Sequence, residues 1–129
     1  MNVIATAVTL SVGDVTASSR FFTTHLGFRE LMVAAGSICL SRDDSACDIV
    51  LVQRDSRLPA EALRGRRPEG MIVSFTVTGI AAEQERLRGE GADITMPLRR
   101  EPWGEWVLRL TDPNGVVVQL VEWLPPAGF

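Results

Sequence analysis

One pattern occurs twice in this chain, and the repetition limits the possible folds more than any other feature of the sequence. Residues 9–12 (Thr-Leu-Ser-Val) match residues 74–77 (Ser-Phe-Thr-Val) in character, 65 positions later. In both places polar and apolar residues alternate, which is typical of a half-buried strand, and a helical pattern follows. The repetition predicts two units of the same βαβββ type.

The first unit reads as a strand, a helix and further strands. The strand falls within residues 3–15, and the helical pattern of residues 16–26 stops at Gly27. Residues 30–41 and 48–54 are predicted to form two or more strands. This half of the chain therefore accounts for one βαβββ unit.

The second unit repeats this order after a connector. Residues 55–70 are charged and contain prolines and glycines, so they are predicted to join the two units. A turn is expected at residues 112–115 (Asp-Pro-Asn-Gly), because Pro presets φ and Asn or Gly tolerates a positive φ. The predicted elements are a strand at 71–77, a helix at 80–88, and strands at 94–96, 106–110 and 116–123.

A single unit would leave an apolar sheet face and open edges, so the two units are expected to pack together. We predict an α+β fold in which two βαβββ repeats form a curved mixed sheet, with helices on the convex side and a concave ligand cavity. A chain of 129 residues is expected to have one core. The predicted single domain spans residues 1–129, with repeat one at about 3–56, the connector at about 55–70 and repeat two at about 71–124.

Composition narrows the possible partners and locations. The formal net charge of −3 argues against nucleic acid, because binding to phosphates needs a basic face. No apolar run approaches the roughly 18 residues that span a bilayer, and the N-terminus lacks a signal-peptide pattern, so a cytoplasmic protein is expected. Cys39 and Cys47 lack the spacing and the accompanying histidines of a zinc site. They are expected to be buried or inert thiols.

Motifs in both halves resemble those of one superfamily. In the first half they are residues 10–15 (Leu-Ser-Val-Gly-Asp-Val), Phe21 with Phe22, and residues 26–28 (Leu-Gly-Phe). In the second half they are residues 101–104 (Glu-Pro-Trp-Gly), 110–115 (Leu-Thr-Asp-Pro-Asn-Gly) and 120–122 (Leu-Val-Glu). In this order they resemble the vicinal-oxygen-chelate superfamily of glyoxalases, bleomycin-resistance proteins and extradiol dioxygenases. The resemblance covers nearly the whole chain and implies a homodimer.

Metal-dependent members of this superfamily place His, Gln or Glu on four strands that face the cavity. The resemblance assigns these positions to Ala7, Leu51, Ile72 and Gln119. Aliphatic side chains have no lone pair, and one amide cannot hold a transition metal against water, so we expect no metal and no cofactor. His25 is the one histidine, falls near the end of the first helix, and is expected to be a solvated or helix-terminal residue.

The metal-free members that this chain resembles bind drugs without changing them. The resemblance therefore implies a non-catalytic protein that sequesters a small-molecule antibiotic or natural product and confers resistance. The acidic charge of the chain would suit a cationic ligand, and its indole side chains would suit a planar aromatic one by stacking. The identity of the ligand stays open.

Strand pairing across the 112–115 turn predicts which side chains face the cavity. Pairing of Leu110 with Val117 would place Trp106 and Leu108 there. Trp106 is the expected aromatic anchor, although a core or dimer-interface position would also suit it, and Trp103 could cover the cleft or hold its own loop. The predicted ligand-binding residues are Ala7, Thr9, Ser11, Leu51, Ile72, Ser74, Thr76, Trp103, Trp106, Leu108, Gln119 and Val121.

Two enzymatic alternatives stay open. A metal-independent lyase, isomerase or epimerase of the same fold would need a carboxylate as general base. The candidate carboxylates form no evident dyad, and each is expected to be a solvated charge or, for the last, to face the helix side: they are Asp43, Asp44, Glu101, Glu105 and Glu122. A metal-dependent glyoxalase, thiol transferase or dioxygenase is disfavoured by the four ligand positions. No catalytic residue is predicted.

Overall fold

The computed structural model describes residues 1–59 and 61–124, without the side chain of Leu63. The chain divides into two compact units. The first unit comprises Met1–Glu69 together with the turn Pro113–Gly115, and the second comprises Gly70–Asp112 and the chain from Val116 onward. Each unit contains one four-stranded sheet and one α-helix.

The first unit follows the order strand, helix, three strands. Its sheet has the order β1-β4-β3-β2, in which β1 runs parallel to β4 and the other neighbours are antiparallel. A short 3-10 helix, Glu61–Leu63, lies in the predicted connector. The elements are β1 (Ala7–Val12), α1 (Val15–His25), β2 (Arg29–Ala34), β3 (Ser37–Ser41) and β4 (Asp48–Gln53).

The second unit repeats this topology. Its sheet has the order β5-β8-β7-β6, again with one parallel pair, β5 with β8. Its first strand and its helix each begin 65 residues after those of the first unit. The elements are β5 (Ile72–Thr76), α2 (Ile80–Gly89), β6 (Ile94–Arg100), β7 (Glu105–Thr111) and β8 (Val117–Trp123). The predicted α+β class and the two βαβββ repeats are confirmed.

The core of the first unit lies between α1 and one face of its sheet. Leu10, Leu40, Ile49 and Leu51 are at most 1% exposed, as is Phe22 of the helix. Adjacent strands place these sheet residues side by side, since Leu10 pairs with Leu51 and Leu40 pairs with Ile49. Alternate residues of each strand thus form a continuous apolar surface for the helix.

The start of α1 is set by its capping residue. The side chain of Asp14 accepts a hydrogen bond of 3.2 Å from the backbone N–H of Ala17, which satisfies one of the free donors of the first turn. Past the helix end, Gly27 has a φ of +70°, a conformation that favours glycine. The predicted glycine stop is therefore confirmed.

The core of the second unit is built in the same way. Leu108, Leu110 and Val118 of its sheet are not measurably exposed, and Leu87 of α2 is equally buried. The helix presents few apolar residues to the sheet, mainly Ile80 and Leu87. No helix in the described part of the chain is long and apolar enough to cross a membrane.

Candidate functional site

Each sheet has a second face, on the side away from its helix, which we call the helix-free face. In the second unit Val118 and Leu120 point toward α2, so the alternating residues Gln119 and Val121 of β8 lie on the helix-free face. Pairing with the neighbouring strands extends this face across the sheet. Its residues on β5, β7 and β8 are Ile72, Ser74, Thr76, Glu105, Val107, Arg109, Thr111, Val117, Gln119, Val121 and Trp123.

Three polar side chains form a hydrogen-bonded row across the middle of this face. Ser74, Gln119 and Arg109 are laterally paired on β5, β8 and β7. The Nε of Arg109 donates to Oε1 of Gln119 over 2.9 Å, and Nε2 of Gln119 donates to Oγ of Ser74 over 3.2 Å. The Gln119 amide therefore holds the guanidinium in place, and we call these three residues the polar row.

The equivalent row of the first unit has a different chemistry. Thr9 pairs with Val50, Val50 with Cys39, and Cys39 with Met32, so these four side chains cross the helix-free face of the first sheet. Cys39 is a free, half-buried thiol. The repeat thus places an aliphatic residue and a thiol where the second unit has an amide and a guanidinium.

The predicted orientation of Trp106 and Leu108 is wrong. Leu110 pairs with Val118 and not with Val117, because the five residues 112–116 separate the strands and Thr111 is the residue opposite Val117. A slip of one residue moves every side chain of a strand to the other face. Leu108 is consequently buried in the helix-side core, and Trp106 lies half-buried on that same face.

The predicted orientation of Leu51 is also wrong by one residue. Leu51 is not measurably exposed and pairs with Leu10 on the helix-covered face. Val50, which pairs with Thr9, occupies the helix-free face of β4 and is the counterpart of Gln119. Because successive side chains of a strand point to opposite faces, only one of two neighbouring residues can lie on a given face.

The donor set does not fit a catalytic metal ion. With Val50 in place of Leu51, the four positions that the resemblance assigns to metal ligands hold three aliphatic residues, Ala7, Val50 and Ile72, and Gln119 as the one oxygen donor. Such side chains cannot supply the three protein ligands that a catalytic zinc site requires. Within residues 1–59 and 61–124, no group of three His, Cys, Asp or Glu side chains could hold a metal.

Several predicted site residues do lie on helix-free faces. Ile72, Ser74, Thr76, Gln119 and Val121 belong to the second unit, and Ile72 is 46% exposed. In the first unit Ala7, Thr9 and Ser11 alternate with the buried Leu10 and Val12 on β1 and therefore share a face. The hydroxyl of Ser11 is buried and has no hydrogen-bond partner among the described residues.

Trp103 lies in the loop before β7 and is 63% exposed. Its Nε1 donates a hydrogen bond of 2.8 Å to Oε1 of Glu105. This bond holds the indole beside its own loop, which is one of the two positions that the sequence allowed.

The predicted ligand-binding residues left out six residues of the second helix-free face, among them Arg109 and Trp123. Arg109 is half-buried at the centre of the face, and Trp123, at the end of β8, is 52% exposed. Both follow directly from the true pairing of β7 with β8, in which Arg109 faces Gln119 and Trp123 faces Glu105. The sequence feature that could have revealed them is the length of the 112–116 turn, because it sets this pairing.

The carboxylates considered as general bases are committed to structural contacts. Glu101 accepts from Nε of Arg99 and Glu105 from Trp103, both over 2.8 Å. Glu122 lies on the helix side, as predicted, and accepts from backbone N–H groups at the start of α2. Each of these three carboxylates thus has a structural hydrogen-bond partner.

The acidic pair in the turn before β4 is ion-paired. Asp43 contacts Arg29 over 2.8 Å, and both oxygens of Asp44 accept from Arg42. The hydrogen bonds from the Arg42 side chain and the Ala46 backbone hold the pKa of Asp44 below its ordinary value. Asp44 therefore stays ionised at neutral pH and is a weak base.

A depression of about 440 Å³ lies beside this turn in the first unit. Its lining includes Arg42, Asp44 and Cys47, but the Arg42 guanidinium is already bound to Asp44 and to the carbonyl of Leu26. Cys47 is a free thiol with intermediate exposure. The charged groups of this depression satisfy one another, which makes it a weaker candidate than the polar row.

His25 occupies the last turn of α1, as predicted, and its ring lies 5.4 Å from that of Phe21 in an edge-to-face arrangement. An imidazole at the C-terminal end of a helix interacts favourably with the helix dipole when protonated. Its position gives it a role at the end of the helix.

The chain matches a protein-family model. The model described as the glyoxalase/bleomycin resistance protein/dioxygenase superfamily matches residues 4–120. A comparison with curated proteins found no match. The family match takes in all eight strands at least in part and both helices.

Solved structures with the same fold extend over nearly the whole chain. A glyoxalase/bleomycin resistance protein/dioxygenase from Nocardioides is 20% identical, with a TM-score of 0.77 and coverage of 100% of this chain and 91% of its own. TioX from Micromonospora sp. ML1 is 21% identical, with a TM-score of 0.77 and coverage of 93% and 98%. A virulence protein from Salmonella typhimurium is 20% identical, with a TM-score of 0.74 and coverage of 96% and 98%. At these identities the likeness concerns the fold.

Proposed function

Because this chain belongs to the glyoxalase/bleomycin resistance protein/dioxygenase superfamily, we propose that it sequesters a small-molecule antibiotic or natural product without changing it, and so confers resistance. The observation that carries this proposal is the polar row of Ser74, Gln119 and Arg109 on the helix-free face of the second unit. These side chains offer hydrogen-bond donors and acceptors without a general base or a metal-ligand set. Such a surface binds a ligand and leaves it intact.

The ligand-contacting residues follow from the face assignments. In the second unit we propose Ile72, Ser74, Thr76, Gln119 and Val121, joined by Arg109 and Trp123. Trp123 takes the stacking role that was predicted for Trp106, since an exposed indole on this face suits an aromatic ligand. In the first unit Ala7, Thr9 and Ser11 form a further ligand-contacting surface.

Two features of the setting belong to the same proposal. The protein acts in the cytoplasm as a homodimer, without nucleic acid or membrane partners. Edge strand β2 favours self-association, because all six of its residues are exposed and Leu31, Met32 and Val33 are 55%, 66% and 60% exposed. Light scattering should give twice the chain mass of 14.1 kDa, and a monomer at micromolar concentration would contradict the dimer.

Sequestration is tested by following both the complex and the fate of the ligand. A panel of antibiotics, including bleomycin-type glycopeptides, quinones, thiopeptides and enediynes, is titrated into the protein by calorimetry. A binder should quench tryptophan fluorescence and be recovered with its mass unchanged after long incubation. The quench should fall in Trp123→Phe and persist in the matched variant Trp106→Phe, whose indole lies on the helix side.

Recovery of a chemically altered ligand would replace this proposal by a metal-independent lyase or isomerase of the same fold. Loss of the quench in Trp106→Phe, with Trp123→Phe unaffected, would contradict the binding face while leaving sequestration intact. The two readouts therefore separate what the protein does from where it does it.

A further inference from the structure

Arg109 is the cationic member of the polar row and lies on β7, an interior strand of the second sheet. Arg109 is half-buried, and one of the five N–H donors of its guanidinium, the one on Nε, is bound to Gln119. Elsewhere in the described residues its guanidinium has neither a carboxylate within ion-pair distance nor a second hydrogen-bond partner. Four strong donors at the ends of this side chain are thus left for a group from outside.

Five other arginines in the described part of the chain have carboxylate partners close by. Arg29 pairs with Asp43, Arg42 with Asp44, Arg86 with Glu83 and Glu90, Arg88 with Glu85, and Arg99 with Glu101. These pairs lie at the surface, where water would solvate the charges in any case. Arg109 is buried further than an ordinary surface arginine, and the sheet supplies it with an amide in place of an acid.

The amide partner has a definite consequence for the guanidinium. Gln119 accepts from Nε and is itself fixed by its bond to Ser74, so the side chain of Arg109 is oriented while its positive charge is not neutralised. A guanidinium held in this way presents its remaining N–H groups as a planar fork, which matches the two oxygens of a carboxylate or a phosphate group. The repeat counterpart of Arg109 is Cys39, so this charge is particular to the second unit.

We infer that the ligand of the second helix-free face carries an oxyanion, a carboxylate or a phosphate-like group, which the guanidinium of Arg109 binds. The inference rests on the proposed function, because it assumes that this face binds a small molecule. It reverses the expectation of a cationic ligand drawn from the net charge of −3. Trp123 on the same face suits an aromatic body attached to the oxyanion.

Simple aromatic fragments can test the charge preference before the natural ligand is known. We would titrate benzoate, phenyl phosphate, neutral benzamide and cationic benzylamine into the isotopically labelled full chain and follow the NMR signals of the Arg109 Nε–H and the Gln119 side-chain amide. At least one anion should shift both signals saturably at millimolar concentration. Benzamide and benzylamine should not, and the relative effects of benzoate and phenyl phosphate distinguish the two kinds of oxyanion.

Variants show whether Arg109 itself makes the contact. Arg109→Met should weaken anion binding by about tenfold or more, the usual size of a lost charge-assisted hydrogen bond. Arg100→Met is the matched control, because it removes the same charge from the neighbouring strand on the helix side, and it should bind the anion as the unmodified chain does. Gln119→Glu should also weaken anion binding, since it gives Arg109 an internal carboxylate.

Equal shifts with benzoate and benzamide, unchanged binding in Arg109→Met, or no saturable shift with either anion would overturn the inference. If an antibiotic without an anionic group binds intact and leaves the Arg109 signal unmoved, the inference fails while sequestration stands. If an anionic ligand binds at Arg109 and is recovered altered, sequestration fails while the inference stands.

Discussion

Glu122 lies near the end of β8, where its carboxylate accepts hydrogen bonds from the backbone N–H groups of Gly79 (2.8 Å) and Ile80 (3.1 Å). Gly79 is the capping residue of α2, has a φ of 68°, and carries no side chain that could cap the helix. Glu122 supplies that cap from a strand of the same sheet, and its charge faces the positive end of the helix dipole. Its carboxylate is therefore a structural group.

We expect Glu122→Ala to lower the free energy of unfolding by about 1 to 2 kcal/mol, the usual cost of a lost N-cap. Glu122→Gln keeps an acceptor for one of the two donors but removes the charge, so it should cost less. The measurement is urea denaturation followed by circular dichroism. Glu85→Ala is the matched control, because Glu85 lies on α2 with a 69% exposed side chain, and its removal should cost much less.

If Glu122→Ala were as stable as Glu85→Ala, Glu122 would not be the cap of α2. A binding defect in Glu122→Ala with no loss of stability would instead return this carboxylate to the list of candidate functional groups.

At the scale of secondary-structure elements, the β7–β8 hairpin decides which residues can meet a ligand. Its turn is closed by Asp112, whose backbone N–H donates to the carbonyl of Val116 over 2.9 Å. The Asp112 side chain, which is 3% exposed, accepts from the backbone N–H of Val116 over 2.8 Å. These two bonds close a five-residue loop and fix Thr111 opposite Val117.

Asp112→Ala should destabilise the protein by about 1 to 3 kcal/mol, because it leaves the buried N–H of Val116 without its acceptor. Amide hydrogen exchange should show faster exchange at Val116 and in the adjoining parts of β7 and β8. Asp112→Asn keeps the side-chain oxygen and should preserve most of the stability and protection. Equal losses in both variants would mean that the charge of Asp112, and not its hydrogen bond to Val116, stabilises the turn.

The sequence predicted the elements well because their signals are local. The helix over residues 16–26 and its stop at Gly27 were read from apolar spacing and a glycine, and α1 spans Val15–His25. Alternation likewise located residues 71–77, where β5 spans Ile72–Thr76. Each such signal is contained in a dozen residues and needs no knowledge of the rest of the chain.

Strand register could not be read with the same accuracy. Leu51 and Val52 are both buried next to the half-buried Val50, so the apolar run of β4 does not reveal which residue faces the helix. In the hairpin, the Asp-Pro-Asn-Gly signal located the turn but not the fifth residue, Val116, that completes it. Because alternation has a period of two, each error of one residue exchanged the two faces, and Arg109 was hidden by the second error.

At the scale of the whole molecule, net charge proved a poor guide to the charge that a ligand meets. The formal net charge of the chain is −3, yet Glu101, Glu105 and Glu122 are engaged with an arginine, an indole and a helix terminus. The charge at the centre of the second helix-free face belongs to Arg109. Local pairing, and not the sum of charges, sets the electrostatics of a binding surface.

The same reasoning about individual groups predicts the metal content of the protein. Purified without chelators, it should contain well below one ion of Ni, Zn, Mn or Fe per chain by elemental analysis, because Ala7, Val50 and Ile72 have no lone pair to offer. Adding these ions should leave the melting temperature unchanged. A true metal site would stabilise the fold by about 2.7 kcal/mol when the metal concentration is a hundred times Kd. This corresponds to a rise of several degrees in the melting temperature.

His25→Gln is the control for this measurement, since a single imidazole can hold a little nickel or zinc. Trace metal that disappears in His25→Gln belongs to the helix end and agrees with the prediction. Stoichiometric metal that persists in His25→Gln and raises the melting temperature would contradict it. In that case carboxylates and thiols elsewhere in the chain would have to be the ligands. The four strand positions could not supply them, because three are aliphatic whether β4 contributes Val50 or Leu51.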